Sequence, residues 1–377
     1  MSTMADQYTE VRHTSFLGNV FNSIFGAILG VLLFFGSFFV LWMNEGRVNL
    51  STIAQKSTPM AATAVDPTME GKLVAATGKL VTNEKLGDSG YLRPQNYLEL
   101  QRTVEMYAWV EHTDSDTTKN VGGSSTTKTT YTYKKEWTSS PSRSSSFKYP
   151  GGHENPSMPL ESSSWTPSSA TVGVYGVHPG ELTLPDAIQV RLNEENTEVE
   201  GPWQIKSDYI VNSASALTTP NVGDVRISYS AVPNNLDVTL FGKVSAEQIL
   251  PYEAEGTSLY RAFTENREQA IATLDTEHRI WTWVLRLIGF LMMWIGLSMC
   301  FEPLNTMLDV LPFLGSAGRF VTGSIMFGVS LLLSIITIIA SIIAHNIFLL
   351  IGLLLLVMGA VVLWSRVRRP KAAAMPA

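Results

Sequence analysis

Charge vanishes from long stretches of this chain, and that constrains the fold more than any motif does. Residues 24–43, "IFGAILGVLLFFGSFFVLWM", hold no charged side chain. A helix needs roughly 20 apolar residues to cross a bilayer core. Lipid offers the backbone no hydrogen-bond partner, so each such run is expected as a helix. Residues 281–301 carry one charge, Arg286, near their start, and residues 320–344 and 347–364 carry none. Only 16% of the whole chain is charged, against about a quarter in an ordinary soluble domain. A cleaved signal has a shorter apolar run and a small-residue cleavage site. The first run ends instead in Trp42, Met43 and Asn44. It reads as a retained anchor, with Trp42 at the interface where amphipathic rings collect.

Four spans place both termini on one side. The tail "SRVRRPK" sets Arg366, Arg368, Arg369 and Lys371 beside the last span, and positive residues stay cytoplasmic. The expected order is a cytoplasmic N-terminus (1–23), a span (24–43), an extracytoplasmic domain (44–252) and an amphipathic helix (253–280). A span (281–301), a cytoplasmic loop (302–319), two spans (320–344, 347–364) joined by His345 and Asn346, and a basic cytoplasmic tail (365–377) complete it. Arg286 has two readings: snorkelling to the headgroups through its long stem, which its position favours, or a polar site inside the bundle. Gly26 and Gly30 form a GxxxG pair, and Gly289 and Gly296 share a face, so close helix packing is expected there. No span carries a ladder of ionisable groups, which argues against an ion or proton pump.

The segment 44–280 contains 29 acidic and 20 basic residues, a net charge of −9, and no basic stripe of the kind nucleic acid requires. Strand patterns dominate it. "LELQRTVEMYAWVE" puts Val104, Met106, Ala108 and Val110 on one face and Glu105, Tyr107 and Trp109 on the other. With "TTYTYKKEW" it predicts a long hairpin around a Gly-Gly tip. "DVRISYSAVPNNLDVTLFGKV" predicts a second hairpin. "MEGKLVAATGKL" and "NVGDVRISYS" both enter a strand from an acidic-glycine turn, a weak sign of two related units. The amphipathic stretch from residue 253 puts Leu259, Phe263, Ala270 and Leu274 along one helical stripe that continues to Trp281 at the start of the next span.

Motifs that carry chemistry are scarce. The six histidines are scattered, with no HExxH, GxSxG or phosphate-loop pattern, and the one cysteine, Cys300, falls in a span. The sequence assigns no catalytic, metal or cofactor-binding residue. The border "NEGR" has two readings: a helix stop, since Asn and Gly tolerate the left-handed conformation, or an anchor in which Glu45 and Arg47 pair with juxtamembrane groups such as Arg279 or Glu277.

The ordered set "SFLGNVFNSIFGAILGVLLFFGSFFVLWMNEGR", "EGKLVAATGKL", "LELQRTVEMYAWVE", "YTYKKEW", "NPSMP" and "GDVRISY", followed by three late spans, resembles the transmembrane protein 43 family, also called LUMA, over nearly the whole chain. The family's "WNEGR" stands here as "WMNEGR", Trp42 to Arg47, with Met43 inserted. The resemblance implies a large lumenal or extracytoplasmic domain between the first span and three C-terminal ones. It also implies the endoplasmic reticulum and inner nuclear membrane for the animal member, links to lamins and emerin, self-association, and a scaffold or channel-modulating role without established enzymatic activity. Carried onto this chain, it points to Glu45 and Arg47 at the first border, and to Arg102, Glu105 and Trp109 in the strand, as structural or assembly positions.

The expected fold class is therefore an α+β membrane protein: four transmembrane helices and a large β-rich extracytoplasmic domain. The expected function is a non-enzymatic membrane scaffold, without cofactor, that contacts the lipid bilayer, itself as a homo-oligomer, and other envelope membrane proteins. A bacterial inner membrane is the expected site, or the endoplasmic reticulum or nuclear envelope in a eukaryote. A channel subunit lined by Thr322, Ser324, Ser330, Ser334, Thr337 and Ser341 is the first alternative. An envelope hydrolase using the serine-rich loop 142–164 is the second.

Overall fold

The uncharged runs fold as helices and the alternating runs as strands. The computed structural model describes residues 6–367. Its α-helices are, in chain order, α1 (Phe16–Glu45), α2 (Leu50–Gln55), α3 (Arg267–Leu308), α4 (Pro312–His345) and α5 (Ile347–Val367). The chain divides into two units. One gathers the residues up to Arg12 with Val48–Asp116 and Thr127–His278; the other gathers His13–Arg47, Thr117–Thr126 and the residues from Arg279 on.

In the helical unit, Ser15 caps α1 by accepting from the backbone N–H of Gly18 at 3.2 Å. The helix starts at Phe16 rather than at the first fully apolar residue, because Asn19 and Ser23 are buried on its inner side. Glycines set its approach to α3. A Cβ on Gly296 would stand 2.7 Å from the Gly30 carbonyl oxygen and 2.7 Å from the Phe34 nitrogen. One on Gly289 would stand 2.6 Å from Leu41 Cδ2. Gly26 meets only Met299 Cε, at 3.9 Å, so packing demands just one member of the GxxxG pair.

Among the described residues, three helices are long and apolar enough to cross a membrane: those containing α1, α3 and α4. The expected fourth span, 347–364, lies within the helix α5, which is not among those three. Asn346 alone separates α4 from α5, and its Oδ1 accepts from Phe348 N at 3.1 Å and Leu349 N at 3.2 Å. The expected loop 302–319 shrinks to 309–311, since α3 runs on to Leu308 and α4 begins at Pro312. Arg368, Arg369 and Lys371 of the expected basic tail lie outside the described residues.

The β-rich unit is built on two large sheets. The path of one runs Gln7–Thr14, Ser125–Thr138, Tyr97–Lys119, Val225–Pro233, Tyr209–Val211, Gln204–Lys206. Leu100, Val104, Met106, Ile227 and Tyr229 form its core. The other sheet centres on Leu73–Val81 antiparallel to Leu236–Ser245 and buries Val74, Ala76, Leu80, Val172, Tyr175 and Leu240. A third cluster joins Ile53 and Ala54 of α2 to Phe241, Phe263, Ala270 and Leu274.

Four expectations change here. Residues 7–14, expected in a cytoplasmic terminus, form a strand of the first sheet. Residues 50–55, inside the expected β-rich span 44–252, form the short helix α2. The strands Val225–Pro233 and Leu236–Ser245 follow one another directly yet belong to different sheets, so they are no hairpin. The amphipathic helix expected from residue 253 starts at Arg267. Before it, Tyr252–Ala254 and Thr257–Leu259 form a hairpin, whose turn residues Glu255 and Gly256 both have positive φ, 54° and 75°. That pair suits the tight turn that matches strand twist. Leu259 and Phe263 are thus buried from strands.

Candidate membrane-border site

The last turn of α1 meets α3 and α4 in one cluster of polar groups. Arg286 donates from Nε to Glu45 Oε1 at 2.8 Å and from Nη2 to Oε2 at 2.8 Å. This is the fork-on-fork geometry that guanidinium and carboxylate share. The Glu45 side chain is 5% exposed and that of Arg286 22%, and the guanidinium carbon lies 5.0 Å from the centre of the Trp283 ring. Asn44 Nδ2 donates to the Thr282 carbonyl at 3.0 Å. On the α4 side, Ser341 Oγ donates to the Trp42 carbonyl at 3.0 Å, and the Trp42 and His345 rings stand 5.3 Å apart.

Arg286 turns its guanidinium to the Glu45 carboxylate, where α1 ends. Glu45 takes Arg286, not Arg279, as its partner. The helix-stop reading also changes. Gly46 has φ −86°, so it supplies no left-handed residue. Its missing side chain makes room instead, since a Cβ there would stand 2.5 Å from His345 Nε2. Arg47 Nη1 and Asn44 Oδ1 are buried without a hydrogen-bond partner. Ser341 Oγ and His345 Nδ1 are 3.1 Å apart, but Ser341 is 0% exposed, so no substrate carbonyl reaches it. The site can fix the ends of α1 and α4 against the middle of α3; Ser341 within it is not a reachable nucleophile.

The strand residues singled out by resemblance each hold a separate internal contact. Arg102 sits on the core face, with Nη1 2.6 Å from Asp88 Oδ2. It donates to the Glu161 carbonyl at 2.9 and 3.1 Å, and Tyr229 Oη donates to the same Asp88 oxygen. Burial, reinforced by that carboxylate, pushes the Tyr229 phenol well above its ordinary range. Glu105 faces Arg226 directly across the antiparallel pair, at 2.7 Å, and Arg226 lies 4.5 Å from the centre of Trp137. Trp109 stands edge-on to His153, centroids 4.7 Å apart.

His153 draws its neighbours from distant segments. It is 1% exposed, stacks on Tyr133 at 3.9 Å and bonds the Tyr149 carbonyl through Nδ1 at 3.1 Å. Tyr133 Oη donates to Glu111; burial, then Glu111, pushes that phenol up to about 12. The serine-rich loop lines an open cleft of about 710 Å³ that includes Ser139, Ser142, Arg143, Asn155 and Ser162. Among the described residues no group of three His, Cys, Asp or Glu is placed to hold a metal.

The family model described as Transmembrane protein 43 matches residues 106–347. Transmembrane protein 43 of Mus musculus is 27% identical over 327 residues, 81% of this chain and 80% of the relative. The Homo sapiens protein of that name is 27% identical over 81% of this chain and 82% of its own length. The Transmembrane protein 43 homolog of Drosophila melanogaster is 26% identical over 82% of this chain and 86% of its own length. No solved structure matches.

Proposed function

The chain belongs to the transmembrane protein 43 family, and from that premise we propose that it is a non-enzymatic membrane scaffold that assembles with itself or with envelope partners. It is a multi-pass membrane protein. One observation carries the scaffold reading: Glu45, Arg102 and Glu105 of its two signature segments are engaged inside the chain. Glu45 is bonded to Arg286, Arg102 to Asp88 and Glu105 to Arg226, so these groups hold a platform together rather than face a substrate. Outward side chains of α4, such as Phe320, Leu332 and Ile336, remain for lipid or for a second copy.

Four of the six hydroxyls that suggested a channel support helix packing better than a pore wall; Thr322 is half-buried and Ser324 exposed. Ser330, Ser334, Thr337 and Ser341 are buried within one protomer, at 0, 3, 8 and 0% exposure. Thr337 Oγ1 donates to its own helix, to the Leu333 carbonyl at 2.7 Å. Extraction in gentle detergent followed by native mass measurement tests the scaffold. A homo-oligomer or a stoichiometric membrane partner is expected, and a monomer without partner in several detergents and in nanodiscs would remove it. The proposed site is a bacterial inner membrane. The eukaryotic relatives fit the alternative, endoplasmic reticulum or nuclear envelope, and fractionation of the source cells separates the two.

A further inference from the structure

The tip of the long hairpin, Thr117–Thr126, belongs to the helical unit, and its bonds there bear on membrane sidedness. Lys119 Nζ lies 3.0 Å from Asp309 Oδ2, and the Asp309 side chain is 0% exposed. Arg319 donates to the same oxygen and also reaches Glu302 Oε1 at 2.9 Å. Gly122 N donates to the Val310 carbonyl at 3.0 Å. On the other flank, the Asn19 side chain is taken up by the tip. Its Nδ2 donates to the Gly123 carbonyl at 2.9 Å, and its Oδ1 accepts from Ser125 Oγ at 2.9 Å. Gly123 has φ +80°, and a Cβ there would stand 2.4 Å from Phe16 Cδ2. A larger residue meets both backbone strain and the first side chain of α1.

These contacts join three segments that the charge rule separates. That rule puts the start of α1 and the α3–α4 corner inside, and the whole of 44–280 outside. A core of about 30 Å cannot lie between groups bonded at 3 Å. We infer that the hairpin tip, the first turn of α1 and the α3–α4 corner occupy one side of the membrane, with the tip latched there by Lys119, Gly122, Gly123 and Ser125. His112, Asp114 and Asp116 on the Tyr97–Lys119 strand are exposed, and lipid does not accept such groups on a strand. Their stretch therefore runs through water or protein.

Cysteine accessibility in the full-length chain tests this. In a Cys300→Ser background, single cysteines at Val121, 81% exposed at the tip, and at Ser316, exposed in the first turns of α4, are probed with a membrane-impermeant maleimide. Sealed vesicles of both orientations are used, with detergent-opened vesicles as the reference for total labelling. Both positions are expected to label from the same face. Labelling from opposite faces overturns the inference. So does a V121C that labels only after detergent, since that places the tip within the membrane. Charge reversal gives a second readout: K119D is expected to raise protease cleavage at the tip, and K119D with D309K to reduce it again. Unchanged cleavage in K119D would show that the ion pair holds nothing.

Discussion

Glu45→Gln is the most informative change at the border site, because it keeps the shape of the side chain and removes its charge. The wild-type pair is bidentate, 2.8 Å on both arms, with the carboxylate 5% exposed. Two unit charges 4 Å apart attract by about 4 kcal/mol at an effective dielectric of 20, and desolvation cancels part of that. Removing one partner of a buried pair costs more than the pair's net worth, about 3–5 kcal/mol, because the other charge is left uncompensated. Gln retains one acceptor for Arg286, so about 2–3 kcal/mol is expected for E45Q and the full amount for E45K. Removing both charges with apolar residues, E45L with R286M, is expected to recover most of the loss. Thermal unfolding in one detergent, run as a double-mutant cycle, measures the coupling. A coupling below about 0.5 kcal/mol, the level of ordinary non-additivity between distant sites, would refute the reasoning. Rescue of E45K by R286E but not by R279E identifies the partner, and rescue by R279E alone would contradict the geometry.

Three further outcomes are expected. Asp88→Asn leaves Arg102 uncompensated on the core face of its strand, and a loss of about 3 kcal/mol or more in denaturant unfolding is expected, with R102M in the same background restoring part of it. Gly296→Leu forces α1 and α3 apart against backbone atoms at 2.7 Å, whereas Gly26→Leu meets open packing; the first should lower the melting temperature clearly and the second barely. Tyr133 is 2% exposed, with its phenol pushed up to about 12, so the folded state holds that proton more tightly than the unfolded chain does. Its contribution is complete below about pH 10 and is lost as pH rises to about 12, so stability should fall across that window, and less steeply in Y133F.

The long hairpin was legible because its pattern and its structure share one period. Val104, Met106 and Ala108 alternate in sequence and are buried in the fold. The 225–245 stretch shares that period but not that pairing. Alternation tells which residues face a core, not which strand lies beside them. Val225–Pro233 pairs with Tyr97–Lys119, while Leu236–Ser245 pairs with Leu73–Val81, choices set by residues more than a hundred positions away. The stripe at 253–280 failed for a related reason. Leu259 and Phe263 stand four apart, as a helix face requires, yet the Glu255–Gly256 turn breaks the segment into strands before Arg267.

The border site was half legible, and the missing half is geometric. That Glu45 and Arg286 are costly near lipid follows from charge alone. That they meet depends on how far along α3 the end of α1 falls, and Gly30, Gly296 and Gly289 set that register by admitting close contact at successive levels. With Gly30 against Gly296 and Leu41 against Gly289, an antiparallel pair brings position 45 to about one turn before Gly289, which is Arg286. The same count ends α1 about two turns short of Arg279, about 10 Å at 5.4 Å per turn, beyond the reach of a carboxylate. Glycines that read as generic small residues in the sequence are thus what select the partner of Glu45.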